Sequence, residues 1–148
     1  MPIVKNILNI KGWDVWTVPV TATIKEALIL MAEKNIGAVV VMDGDQIVGI
    51  YSERDYARHA SQQDKLLLEE PVVDHMTRAV YFVTPQQPIE ECMMLMTSRH
   101  IRHIPVLEDE TRLVGIISIG DVVKHVLEEK ENTIVGLENY ILGRDYSG

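Results

Sequence analysis

The amino-acid sequence predicts an α+β fold made of two β-α-β-β-α units related by a pseudo-twofold axis. Three observations carry that reading. First, the stretch Gly49-Ile50-Tyr51-Ser52-Glu53-Arg54-Asp55 returns as Gly115-Ile116-Ile117-Ser118-Ile119-Gly120-Asp121. Each copy closes an apolar run and opens a periodic segment through Ser-x-x-Asp, which reads as a strand feeding a serine-capped helix. Second, Val15, Val18, Ile24, Glu26, Leu30, Met31, Ile36 and Val41 recur 65 positions later, and Val48, Gly49, Ile50, Ser52, Asp55 and His59 recur 66 positions later. Fourteen identities over about 45 positions, with one extra residue in a turn between Glu108 and Arg112, mark an internal duplication. Third, units of about 60 residues are marginal alone, and two copies can bury the exposed faces of their sheets against each other. A cleft then opens at each side of the junction, where ligand sites tend to lie.

Each element follows from local pattern. Ile3, Val4, Ile7 and Leu8 have helical spacing and predict a lead-in helix ending at Gly12. Val15 to Val20 is extended, with Pro19 at its exit. Ile24, Ala27, Leu28, Met31 and Ala32 share one helical face, with Thr23 as N-cap and Asn35 and Gly37 as the stop. The β-branched run Ala38 to Met42 is a buried strand, Asp43-Gly44-Asp45 a turn, and Gln46 to Tyr51 the returning strand of a hairpin. Ser52 caps a helix to about Ala60, and Ser61-Gln62-Gln63-Asp64 reads as a surface loop. The second unit repeats this order, with a helix over 89–100. The aspartate three residues after each serine approximates a capping box, and amides at such a helix start favour an anion or an acceptor-rich ligand.

Composition narrows the function. A net charge of −8 argues against general binding to nucleic acid or anionic membrane, so any anion must be held by a local basic cluster. The single Cys92 excludes an intramolecular disulfide and fits a reducing compartment. Residues 1–6 lack a charged-then-apolar signal layout, and no run approaches about 18 apolar residues. The expected compartment is the cytoplasm.

The order V-x-x-V-x-x-x-x-x-I-x-E, an apolar strand, then G-I-x-S-x-x-D, occurring twice, resembles a tandem pair of cystathionine β-synthase (CBS) domains, an α/β-type repeat whose pair forms a Bateman module. The likeness covers about residues 8–130. It places the first repeat at 8–65, the second at 72–131 and a helical tail at 132–148. Ser52-Glu53-Arg54-Asp55-Tyr56, Ile101-Arg102-His103-Ile104-Pro105-Val106 and Ser118-Ile119-Gly120-Asp121-Val122-Val123 resemble stand-alone bacterial CBS pairs. They also resemble the short pairs of plant mitochondria, whose tails look like Leu137-Glu138-Asn139-Tyr140-Ile141.

The resemblance implies an adenosine ligand whose ribose hydroxyls donate to the aspartate of G-x-x-S-x-x-D, since a carboxylate offers two acceptor oxygens to a vicinal diol. Asp55 and Asp121 match that position, and Ser52 and Ser118 its hydroxyl. The backbone at Ala38 and His103 would flank the adenine, with Thr17 and Thr84 near the start of each groove. The repeats differ in charge, because Arg102-His103 aligns with Gly37-Ala38 and Arg54 with Gly120. Carried over from related modules, this gathers Arg54, Arg102, His103 and Asp55 around one cleft that holds the phosphorylated ligand. Asp121 and Ser118 are left with a second cleft of little charge. AMP is the first expectation and NADH the next, with ADP and ATP also fitting; S-adenosylmethionine is an alternative ligand, and a ligand-independent adaptor an alternative function.

Other features have structural readings. His100-x-x-His103 has metal-like spacing, but helix and strand join between them and no partner stands at a fixed offset, so no metal is expected. Cys92 sits on the inner face of its helix, and Met93, Met94 and Met96 read as helix and core filling. Trp13, Trp16, Tyr51 and Tyr81 divide between packing and stacking on a base. No nucleophile stands beside a base, and no phosphate loop is present, so no catalysis is expected. Ile134, Leu137, Tyr140 and Ile141 form an apolar stripe at the end of the chain, which predicts an oligomer contact and a homodimer. With no effector domain within these residues, the regulated protein is a separate partner.

Overall fold

The computed structural model describes residues 2–62 and 67–142, with side chains as far as residue 131. In order it holds α1 (Val4–Lys11), β1 (Thr17–Pro19), α2 (Ile24–Lys34), β2 (Ala38–Asp43), β3 (Gln46–Ser52) and α3 (Glu53–Gln62). Two short 3-10 turns, Leu67–Glu69 and Val72–Asp74, lead to α4 (Ile89–Arg99), β4 (His103–Glu108), β5 (Arg112–Ser118) and α5 (Ile119–Leu142).

The duplication extends to backbone detail. Asn35 and His100, 65 residues apart, both end their helices in the left-handed conformation, at φ 53° and 55°. Both hairpins are antiparallel, with a bulge between Val41 and Met42 in one and between Val106 and Leu107 in the other. Thr23 caps α2 as expected, its hydroxyl accepting from the Glu26 N–H at 3.2 Å.

The copies part at their first strand. β1 pairs in parallel with β2 through Thr17, Val18 and Pro19, whereas the second unit keeps a single bridge, Val83 to Val106. Two prolines explain the loss. In the first unit the Val40 N–H donates to Trp16 O and the Val20 N–H to Met42 O. The aligned residues are Pro105 and Pro85, which carry no N–H to donate. Only the bonds around Val83 survive, so the predicted strand reduces to a bridge.

Two cores result, and each is completed by the lead-in of the other repeat. Val4, Ile7 and Leu8 of α1 pack with Ile89, Cys92, Met96, Ile104, Val106, Ile117 and Val122. Leu67, Val72 and Met76 pack with Val18, Ile24, Ala27, Met31, Val39, Val41 and Tyr51. Each fully buried aliphatic chain stabilises by about 1.5–3 kcal/mol, so the exchange of lead-ins binds the repeats together. The Gly115 backbone permits it, because a Cβ there would stand 3.0 Å from both methyl carbons of Leu8.

Several expectations change. α3 runs to Gln62, so Ser61 and Gln62 are helical; Gln63 and Asp64 lie outside the described residues. Met96 is core, but Met93 and Met94 are exposed. Tyr51 is fully buried and cannot stack on a base, whereas Trp13 and Trp16 are about one-third exposed. α5 is continuous from Ile119 into the predicted tail; the side chains of Ile134, Leu137, Tyr140 and Ile141 lie outside those described.

Candidate functional site

Each β-strand that ends in serine turns directly into a helix, and the Ser-x-x-Asp spacing makes the joint self-capping. At the first joint the Ser52 hydroxyl accepts from the Asp55 N–H at 3.1 Å. The Asp55 carboxylate accepts in return from the Ser52 N–H and hydroxyl, both at 2.9 Å through Oδ2. The second joint repeats the reciprocal pair: Asp121 N–H to Ser118 Oγ at 3.1 Å and Ser118 N–H to Asp121 Oδ2 at 2.8 Å. Both aspartates therefore close capping boxes with one oxygen and keep Oδ1 as the acceptor for anything outside the helix.

The helix amides are largely used internally. The Glu53 N–H donates to Gly37 O at 3.0 Å, and the Ile119 N–H to Arg102 O at 2.8 Å. With the Asp55 and Asp121 N–H groups also taken by serine, helix starts contribute less to an anion site than the sequence suggested. Side chains supply the positive wall instead.

That wall stands in one cleft of about 610 Å³, a volume suited to a small ligand. Ser52, Arg54 and Asp55 line it from the first repeat, and Arg102 and His103 from the second. Five of the ten sequence-predicted positions are thus brought together. His103 reaches the first repeat: a Cβ added to Gly37 would meet its Nε2 at 3.1 Å and Glu53 Oε1 at 3.2 Å. Burial, with Lys11 and Arg102 nearby, pushes the His103 imidazole below its ordinary value despite Asp121 and Asp55. Its ring is therefore neutral at pH 7.

The other positions lie elsewhere. Thr17 lines a separate cleft of about 910 Å³ beside the two hairpin turns, with Gly44, Asp45 and Arg112. Thr84 is exposed in the turn before α4, where its carbonyl accepts from the Gln87 N–H. Ala38 is buried in β2, paired with Ser52, and does not line the cleft.

Asp121 and Ser118 stand at the second joint, where the cation found beside them, Lys11, is paired to Asp121. Lys11 Nζ donates to Asp121 Oδ2 at 2.8 Å and to Ile116 O at 2.9 Å. Burial would raise Asp121, but hydrogen bonds from Lys11 and Ser118 hold its carboxyl below the usual carboxylate range. Lys11 had no signal in a pattern search, because 110 residues separate it from its partner. Sequence reading also missed Arg58, Arg99, Thr77 and His100 in the first cleft. Arg58 was findable, since it follows Arg54 by one helical turn.

A duplicated β-α-β-β-α unit with paired Ser-x-x-Asp joints defines a tandem CBS module. The CBS domain model matches residues 4–61 and 72–128, and the chain belongs to that family. Among its relatives is the mitochondrial CBS domain-containing protein CBSX3 of Arabidopsis thaliana, 40 % identical over 126 residues and 82 % of this chain. The chain spans 61 % of that protein's length. The crystal structure of a CBS-domain containing protein from Agrobacterium tumefaciens matches with a TM-score of 0.80 and 40 % identity, over 84 % of this chain and 98 % of that one. A CBS domain protein from Pyrobaculum aerophilum complexed with AMP matches with a TM-score of 0.71 and 27 % identity, over 81 % and 89 %.

Proposed function

We propose that this chain is a non-catalytic regulatory module that binds an adenine nucleotide in the cleft between Ser52–Asp55 and Arg102–His103, and so adjusts a separate partner protein. The observation that carries the reading is the convergence of a diol acceptor from one repeat with cations from the other. Asp55 offers its outer oxygen to a ribose, while Arg102 and Arg54 offer guanidinium donors to phosphate. The ligand bridges two repeats, so it favours whichever relative angle lets both engage. AMP is the smallest molecule with both features and is bound by the Pyrobaculum relative; NADH shares them. The single cysteine, Cys92, suits a reducing compartment, and we place the protein in the cytoplasm. A homodimer is part of the proposal, supported by exposed Ile119, Val123 and Leu127 along α5.

Thermal unfolding with AMP, ADP, ATP, NADH and S-adenosylmethionine tests the ligand. A ligand at about 100 times its dissociation constant stabilises by about 2.7 kcal/mol, a rise of several degrees for a chain of this size. The rise is expected with adenine nucleotides and is lost in Asp55→Ala. No rise with any of them would favour an adaptor that acts through its surface alone. Truncation after Glu131 that left the particle mass of a dimer unchanged would show that the tail does not hold it together.

A further inference from the structure

The cleft proposed to hold an adenine nucleotide carries more positive charge than one phosphate group requires. Arg54 and Arg58 enter it from α3, Arg99 from the end of α4, and Arg102 from the approach to β4. Glu53 and Asp55 are the acidic residues lining the same space, and Asp55 is engaged by its capping serine. Among the described residues, none of the four guanidiniums has an acidic group within ion-pair distance. The crowding is mutual: Arg102 and Arg58 hold the Arg54 guanidinium below its ordinary value. Asp55 offsets part of the crowding at Arg54, and Arg99 rests on the Tyr81 ring with its Cζ 5.3 Å from the ring centre. Four arginines facing two carboxylates in one cleft, in a chain of net charge −8, still form a local positive site that favours an anion.

The array is also one-sided and elongated. The positions aligned with Arg54, Arg58, Arg99 and Arg102 in the other repeat are Gly120, Lys124, Lys34 and Gly37. Lys34 stacks on Trp16 and its counterpart Arg99 on Tyr81, but only Arg99 also lines the cleft of Arg54 and Arg102. Along α3, Arg54 and Arg58 are separated by a rise of about 6 Å, the length of a short phosphate chain rather than of one phosphate. Guanidinium forks pair with phosphate oxygens two at a time, so each added phosphate finds its own donor.

We propose that Arg58 and Arg99 extend the phosphate wall begun by Arg54 and Arg102, so that the cleft selects nucleoside di- and triphosphates over monophosphates. The inference rests on the nucleotide reading above and adds the ligand class to it.

The test is calorimetric titration of the full chain, in EDTA at low salt, with adenosine, AMP, ADP, ATP and inorganic tripolyphosphate. Affinity is expected to rise from AMP to ADP to ATP by about fivefold or more per phosphate, as for partly exposed charge-assisted contacts. In Arg58→Ala/Arg99→Ala the ratio of ATP to AMP affinity is expected to fall to about twofold or less, while Lys34→Ala retains it. Circular dichroism checks that the variants fold, and both arginines are exposed. ATP binding no tighter than AMP, or a ratio unchanged in the double variant, overturns the proposal even if Asp55-dependent AMP binding stands. If tripolyphosphate binds through Arg58 and Arg99 and adenosine adds nothing, the array stands and the adenosine reading falls. If no phosphate compound binds, both fall.

Discussion

Replacing Lys11 by methionine tests how the two repeats are joined. The substitution keeps an apolar stem of similar length but removes the ammonium that bridges Asp121 and the Ile116 carbonyl. A hydrogen bond to a charged group is worth about 1.5–3 kcal/mol when sheltered, and an exposed ion pair about 0.2–1. With side chains 31 % and 23 % exposed, the Lys11–Asp121 pair lies between these limits. A loss of about 1.5 kcal/mol follows, or a fall of about 3–6 °C in Tm. The pH dependence separates this tether from generic packing. Asp121 titrates below its ordinary 3.8 when folded, so the pair's contribution is complete above that value and disappears as pH falls below it. Urea denaturation of wild type and Lys11→Met should therefore show a full difference at pH 7 that shrinks below pH 3.8. A difference under about 0.3 kcal/mol at pH 7 would place Lys11 among pairs that contribute nothing measurable, and refute the reasoning. A difference that persists unchanged at pH 3 would refute it equally.

Other perturbations follow from the same geometry. Gly49→Ala should destabilise by about 1–3 kcal/mol in urea, since its Cβ would stand 2.5 Å from Met76 Sδ and 2.9 Å from the Thr77 carbonyl oxygen. Gly120→Ala, which meets only Ser118 Oγ at 3.6 Å, should match or slightly exceed wild type. Cys92 is fully buried, and burial, with Glu91 nearby, pushes its thiol up to about 11. Its reaction with a thiol reagent should require unfolding, and rapid labelling of the native chain would contradict that. His103 titrates below its ordinary 6.5 when folded, so its neutral ring contributes stability above pH 6.5 that is lost as pH falls through the folded value. His103→Gln should flatten the stability profile below pH 6.5, and an unchanged slope would exclude His103 as its source.

The repeat was legible because its constraints are local. Ser-x-x-Asp, Thr23 as a cap and the returning strand of each hairpin each act within a few residues, and each took the predicted form. The first strand of the second unit was misread for a reason also present in the sequence: Pro85 and Pro105 occupy two of the donor positions of that ladder. What could not be read was contact across the duplication. Lys11 reaches Asp121, and Met76 presses on Gly49, because each lead-in crosses to the other repeat. No periodicity within one repeat encodes that exchange. The site divides in the same way. Asp55 came from the family resemblance, and Arg54, Arg102 and His103 from the charge difference between the copies read under that resemblance, whereas Arg99 joins them only when the end of α4 is placed beside α3.

The central claim is that the two Ser-x-x-Asp joints, alike in capping, are unequal as sites. Titration of ADP into wild type, Asp55→Ala and Asp121→Ala tests it, because each variant breaks one capping box and so controls for the other. The account predicts one ADP per chain in wild type, binding abolished in Asp55→Ala, and binding retained in Asp121→Ala. Two equivalents in wild type, or one equivalent lost in Asp121→Ala and kept in Asp55→Ala, would contradict it.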